Sequence, residues 1–170
     1  IDPIRDKEII DTELQLKDLE TVENRIKRVE KIAQVGGDKN AKVEYDVLTA
    51  IREALLQGKS ARSVQFETKD EQKAARGLFL LTSKPVLYVC NVDDSAALTG
   101  NAHTEAVKAA IANEKAEMLI VAASAEADIA ELESYEERQM FLEDMGLKES
   151  GVSRLIKAAY RLLDLQTFFT

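Results

Sequence analysis

Pro85-Val-Leu-Tyr-Val-Cys90 is an unbroken apolar run rich in β-branched and aromatic residues, and Met118-Leu-Ile-Val-Ala122 is a second of the same kind. Such runs suit strands buried on both faces of a parallel sheet. Between them a polar loop of small residues leads into a stretch that predicts a helix from about Thr104 to Lys115. Strand, helix, strand in that order is a βαβ crossover, which makes the two strands parallel neighbours with a right-handed connection. The expected fold class is α/β and helix-rich.

Upstream of the first strand the pattern is helical. Asp2-Pro3 suits a helix start, because proline at the first helical position gives up no hydrogen bond the helix uses. Leu19, Val22, Ile26, Val29 and Ala33 alternate spacings of three and four, the repeat of a narrow seam against one partner helix. Gly36-Gly37-Asp38 stops that helix. A second is predicted from about Asn40 to Leu56, with Val43, Val47, Ile51, Ala54 and Leu55 on one face and Gly58 at its end. The two make an antiparallel hairpin of the coiled-coil type. Thr68 is placed to cap a short helix through about Leu80, with Asp70 and Glu71 in the first turn, where carboxylates favour the helix dipole.

Downstream of the second run, helices are predicted from Ala127 to Met145 and from Val152 to Leu163, and Gln166-Thr-Phe-Phe-Thr170 reads as the opening of another strand.

Composition narrows the function. At 170 residues and 45% hydrophobic, the chain has enough apolar material for a core, which argues against disorder. No run approaches the ~20 apolar residues of a membrane span, and the N-terminus has no signal-peptide pattern. A soluble cytoplasmic protein without a membrane partner is expected. The net charge of -8 argues against a surface-wide nucleic-acid binder, and no DNA partner is expected. A lone cysteine, Cys90, excludes an intramolecular disulfide; inside an apolar run it reads as a small buried hydrophobe. His103 has no nucleophile in a recognisable arrangement, and no catalytic residue or metal ligand is assigned. Glu131, Glu133, Glu136, Glu137, Glu143 and Asp144 read as a solvated helix face.

Asn91-Val92-Asp93-Asp94 follows the first run directly, and Ala122-Ala123-Ser124 closes the second. Both therefore lie at the carboxyl ends of parallel strands, the edge where open α/β sheets bind ligands. An asparagine amide offers a donor and an acceptor to a purine edge, and a carboxylate three residues later can accept amino or imino hydrogens. Backbone amides of the small-residue loop can complete such a pocket. The same Asn and Asp also suit turns and helix caps, whatever the function.

Asp18-Leu-Glu-Thr-Val-Glu-Asn-Arg25, Ala61-Arg-Ser63, Leu81-Thr-Ser-Lys-Pro-Val-Leu-Tyr-Val89, Glu126-Ala-Asp-Ile-Ala-Glu-Leu132 and Glu149-Ser-Gly-Val-Ser-Arg-Leu-Ile-Lys-Ala-Ala-Tyr-Arg-Leu-Leu163 together resemble the YchF family, the Obg-like ATPases. The resemblance runs over essentially the whole chain. It implies a partial P-loop NTPase domain (Rossmann-like) at residues 1–17 and 59–165, carrying an inserted helical hairpin at residues 18–58, with a small TGS domain expected to start at residues 166–170. It also implies ATP, or alternatively GTP, with magnesium in the complete protein, and association with ribosomes. By that resemblance Asn91, Val92 and Asp94 match the base-recognition motif, and Ala122, Ala123 and Ser124 the second base-side loop. The family writes the motif N-x-x-E where other GTPases have N-K-x-D. This chain has Asp94 for the glutamate and Val92 for the lysine, so adenine or guanine preference stays open. No G-x-x-x-x-G-K-[ST] string occurs. The chain is therefore expected to lack the phosphate site, to be inactive alone and to hold no nucleotide tightly. It is also expected to be a piece of a longer protein that self-associates through an open strand edge.

The hairpin tip is locally basic: Arg25, Lys27, Arg28, Lys31, Lys39 and Lys42 stand against Glu30 and Asp38. Two readings remain for it, phosphate contacts with ribosomal or other RNA, and ordinary solubilising charge. No aromatic residue lies in this stretch, so base stacking is not implied.

Overall fold

The computed structural model describes residues 1–35 and 38–168. Gly36 and Gly37 of the expected helix stop, and Phe169 and Thr170 of the expected last strand, lie outside the described residues. The chain divides into two compact units: residues 5–84, and residues 1–4 with the chain from Pro85 onward.

The first unit is helical. Helix α1 (Pro3–Val35) begins at the expected proline, where Asp2 Oδ1 accepts a hydrogen bond from the Ile4 amide at 3.2 Å. Helix α2 (Lys39–Leu56) is capped by Asp38, whose Oδ1 accepts from the Asn40 and Ala41 amides. The predicted seam is real: Val22 and Val29 of α1 are buried with Val47, Leu48, Ile51 and Leu55 of α2, and Leu19 and Ile26 pack at the margin. Each such side chain taken fully from water contributes about 1.5–3 kcal/mol. Cross-links fix an antiparallel sense, since Arg25 pairs with Glu44, Glu23 with Arg52, and Gln15 Nε2 donates to the Gly58 carbonyl.

Helix α3 (Lys69–Gly77) packs on α2. Its start is a reciprocal cap in which Thr68 Oγ1 accepts from the Glu71 amide at 3.2 Å and the Glu71 carboxylate accepts from the Thr68 amide at 2.9 Å. It stops at Gly77, short of the expected Leu80, because Phe79 takes a left-handed backbone conformation (φ 51°) that no helix continues through. Asp18, 2% exposed, is the one buried carboxylate of α1 and accepts from the Leu81 and Thr82 amides at 2.8 and 2.7 Å. This ties the segment after α3 to α1.

In the second unit, β1 (Val86–Asn91) and β2 (Ala116–Val121) pair in parallel, with Asn91 opposite Val121. Helix α4 (Ala102–Ala110) connects them. It starts and ends earlier than the expected Thr104 to Lys115, because Asn101 caps it and Thr104 closes the reciprocal cap, while the turn after Ile111 leads straight into β2. The strands are less buried than continuous apolar runs predict. Val89 is half-exposed, and within β2 only Leu119 is buried. Among the described residues the sheet has two strands, so each is covered along one edge.

The predicted helix from Ala127 to Met145 is two helices, α5 (Ala123–Glu131) and α6 (Tyr135–Asp144). Leu132 is extended, and Ser134 starts α6 through a third reciprocal cap, with Glu137. Helix α7 (Gly151–Leu162) is held at its start by Glu126, whose carboxylate accepts from the Gly151 amide at 2.5 Å and the Val152 amide at 3.3 Å. A Cβ at position 151 would sit 2.8 Å from Glu126 Oε1, so glycine makes this approach possible. Residues 166–168 form no regular element. Among the described residues no helix is long and apolar enough to cross a membrane.

Candidate functional site

The level register of β1 and β2 brings their carboxyl ends side by side, and the two predicted loops meet there. Asn91 is the last residue of β1, and its Oδ1 accepts from the Ala123 amide at 3.0 Å. Asp94 opens a short 3-10 turn, Asp94–Ala96, and its Oδ1 accepts from the Ser124 hydroxyl at 2.6 Å. The Val92 amide donates to the Val121 carbonyl at 2.9 Å, which carries the ladder one residue past the strand. Ala122 is buried beneath the junction, while Asn91, Asp94, Ala123 and Ser124 are exposed.

These contacts join two readings of the same residues. Ala122, at the N-cap of α5, has no side-chain oxygen, and the Asn91 amide from the neighbouring loop serves the α5 amide in its place. That is a capping role. Yet Asn91 Nδ2 and Asp94 Oδ2 take part in no hydrogen bond among the described residues, so a donor and a carboxylate oxygen remain at the sheet edge. A donor and an acceptor at this edge are the two groups that the sequence expectation asks of Asn91 and Asp94. Triphosphate and magnesium would need other groups, and among the described residues no cluster of His, Cys, Asp or Glu could hold a metal ion.

The loop after β1 is shaped by Gly100, whose φ of +74° is left-handed; a Cβ there would fall 2.3 Å from Thr104 Oγ1. His103 is exposed, and its backbone amide serves the Asn101 cap. Cys90 is half-buried in β1, and burial pushes its thiol pKa up, away from the reactive thiolate. The six acidic residues from Glu131 to Asp144 are exposed, as a solvated face requires.

On the hairpin the six cations are not equivalent. Arg25 Nε donates to Glu44 at 2.5 Å, and this contact raises the arginine pKa further. Lys27, Arg28, Lys31, Lys39 and Lys42 are exposed, and none has an ion-pair partner among the described residues. Sequence reading did not foresee that Arg28 and Lys73 both line a groove between α1, α2 and α3. The helical spacing of Asp70, Lys73, Ala74 and Gly77 on α3 was the available signal.

A two-stranded parallel sheet flanked by helices, with its polar edge loops, defines a helix-rich α/β protein bearing a long helical hairpin. The chain is a homologue of the YchF/Obg-like ATPases. It is 50% identical over 172 residues to the Ribosome-binding ATPase YchF of Bacillus subtilis and 42% identical over 170 residues to that of Escherichia coli O157:H7, covering all of this chain and 46% of each relative. It is 31% identical over 172 residues to Obg-like ATPase 1 of Caenorhabditis elegans, covering 43% of that protein. The chain thus spans about half the length of the curated relatives it matches. The solved Schizosaccharomyces pombe YchF GTPase shares the fold, with a TM-score of 0.84 over 96% of this chain and 44% of that one at 23% identity. No family model matches the chain.

Proposed function

We propose that this chain supplies the base-reading side of a purine-nucleotide site in a YchF-type, ribosome-associated ATPase. The observation that carries the reading is the junction at the sheet edge, where Asn91 and Asp94 each spend one oxygen on the opposite loop and keep one polar atom for a ligand. Asn91 Nδ2 would donate to a ring or exocyclic acceptor, Asp94 Oδ2 would accept from an amino or imino hydrogen, and the backbone at Ala123 and Ser124 would close the pocket. Bound ATP or GTP would bring the phosphates whose transfer to water is the reaction. The part of this chain is to orient the base, and no phosphate-loop string lies within it.

The test is an amide NMR titration of the chain with adenosine, guanosine and cytidine. Purine nucleosides should shift Val92, Asp94, Ala123 and Ser124, and Asp94→Asn, which retains the Ser124 contact, should weaken them by about tenfold, the loss of one charge-assisted hydrogen bond. Equal shifts with cytidine, or purine shifts that Asp94→Asn leaves unchanged, would overturn the assignment.

A second reading concerns the hairpin. Lys27, Lys31, Lys39 and Lys42 are exposed and unpaired among the described residues, which suits phosphate contacts with RNA, in keeping with the ribosome-binding names of the bacterial relatives.

A further inference from the structure

The groove between the three helices of the first unit has a volume of about 670 Å³ and is built from one face of each helix. Thr21, Asn24, Arg25 and Arg28 repeat at three and four residues along α1, and Asp70, Lys73, Ala74 and Gly77 do so along α3. Each row covers about two helical turns, roughly 10 Å. The floor is apolar: Val43, Ala74 and Leu78 are the outer skin of the hairpin core, only partly covered by it.

The charges over this floor are unevenly committed. Glu44 is held by Arg25. Arg28 and Lys73 are exposed and have neither a hydrogen bond nor an ion pair among the described residues. An apolar strip beside two free cations is complementary to apolar side chains carried next to carboxylates. RNA suits this surface less well. Its apolar floor gives a phosphate chain no partner, and no aromatic side chain lines it for a base to stack on. The free lysines of the hairpin, Lys27, Lys31, Lys39 and Lys42, do not line it.

We infer that this groove is a docking site for a short acidic, amphipathic peptide segment of a partner protein, laid along α1 and α3 with its apolar side on Val43, Ala74 and Leu78 and its carboxylates on Arg28 and Lys73. The groove belongs to the helical unit alone, and the inference stands whether or not the sheet edge of the α/β unit binds purines.

The experiment is selection from a random library of peptides of about ten residues on the whole 170-residue chain, followed by anisotropy titration of the selected peptides. Selected sequences should combine apolar residues at helical spacing with several Asp or Glu. Arg28→Glu and Lys73→Glu should each weaken binding by about tenfold or more, Arg28→Lys should restore most of it, and added salt should lower it. Both positions are exposed, so the circular dichroism of the variants should be unchanged. Selection without acidic enrichment, or binding indifferent to both charge reversals, would overturn the proposal. Oligouridine binding with the same dependence on Arg28 and Lys73 would also overturn it, by making the groove an RNA site.

Discussion

Leu48 and Ile51 in the helical unit are almost sealed from solvent, whereas in the α/β unit Val89 of β1 is 49% exposed and α7 turns Val152, Ile156 and Tyr160 outward. The largest fully buried side chains, Leu48, Ile51, Leu80, Val22, Val47 and Asp18, all lie in the helical unit. The α/β unit has a smaller cluster built on Ala97, Ala122, Ala125, Ile129, Leu142 and Leu147. It also holds Arg154, whose Nε and Nη2 are buried without a hydrogen-bond partner among the described residues. The difference is one of completion. An antiparallel hairpin with a third helix closes its own apolar seam, while two parallel strands satisfy one edge each and leave apolar faces in view.

The largest effect should come from making a cavity in each core. Leu48→Ala removes a side chain with no exposure and should cost about 2–5 kcal/mol, toward the upper end because α1 and α2 cannot collapse without losing their register. Leu142→Ala, at 4% exposure, should cost about 2 kcal/mol or less, since its alanine neighbours and the short α6 can settle into the space. Urea unfolding with hydrogen exchange at α2 and α5 amides would measure both. Equal costs would mean that the α/β core is as tightly closed as the hairpin, and the contrast would fail.

That contrast also explains what was legible in the sequence. Periodicity located α1, α2, both strands and their order, because each pattern records which side of an element avoids water. It did not reveal how far a side is covered, so the continuous apolar runs Pro85–Cys90 and Met118–Ala122 read as fully buried strands, whereas β1 and β2 are for the most part only half-buried. The break between α5 and α6 was missed because Ile129, Leu132, Tyr135 and Phe141 keep a tolerable helical spacing across it. Ser134 followed by Glu137, the capping signal, was in plain sight. The loops at Asn91 and Ser124 were placed correctly at one sheet edge, but Asn91 as a substitute cap for α5 depends on contact between distant segments. Asp18 is the same kind of case, since nothing near it in sequence tells that its partners are Leu81 and Thr82.

Two carboxylates that each hold a pair of backbone amides extend the comparison at intermediate energy. Asp18→Asn keeps the shape but replaces one acceptor with a donor, leaving one buried amide unsatisfied, at a cost of about 1–3 kcal/mol. Glu126→Gln makes the same change at the start of α7, where the Val152 contact is 3.3 Å long and Val152 is exposed to water. Its cost should be about 1 kcal/mol or less. Urea midpoints of the two variants decide the matter, and a Glu126 effect equal to that of Asp18 would show that the start of α7 is as closed as the helical core.

The smallest effect should be one in which the units behave alike. Glu71 caps α3 and Glu137 caps α6 through the same reciprocal contacts, at 2.9 and 3.1 Å to the Thr68 and Ser134 amides. In both, the backbone amide first and the hydroxyl second hold the carboxyl pKa below its usual value. A lowered folded-state pKa means stabilisation that is complete above the ordinary carboxylate range and is lost as pH falls through the folded value. Amide shifts of Glu71 and Glu137, followed from about pH 6 to about pH 2, should therefore titrate below the ordinary value near 4.3. First-turn protection in α3 and α6 should fall in step, and Thr68→Ala and Ser134→Ala should each move the partner glutamate only part of the way back to ordinary behaviour, since the backbone amide stays. Both carboxyls are exposed, so the change in global stability is small and salt-sensitive. Caps are set by four consecutive residues and not by the core beneath them. If α6 alone lost its first turn on acidification, the openness of the α/β unit would reach even its local structure, and the two units would differ at every level from core to cap.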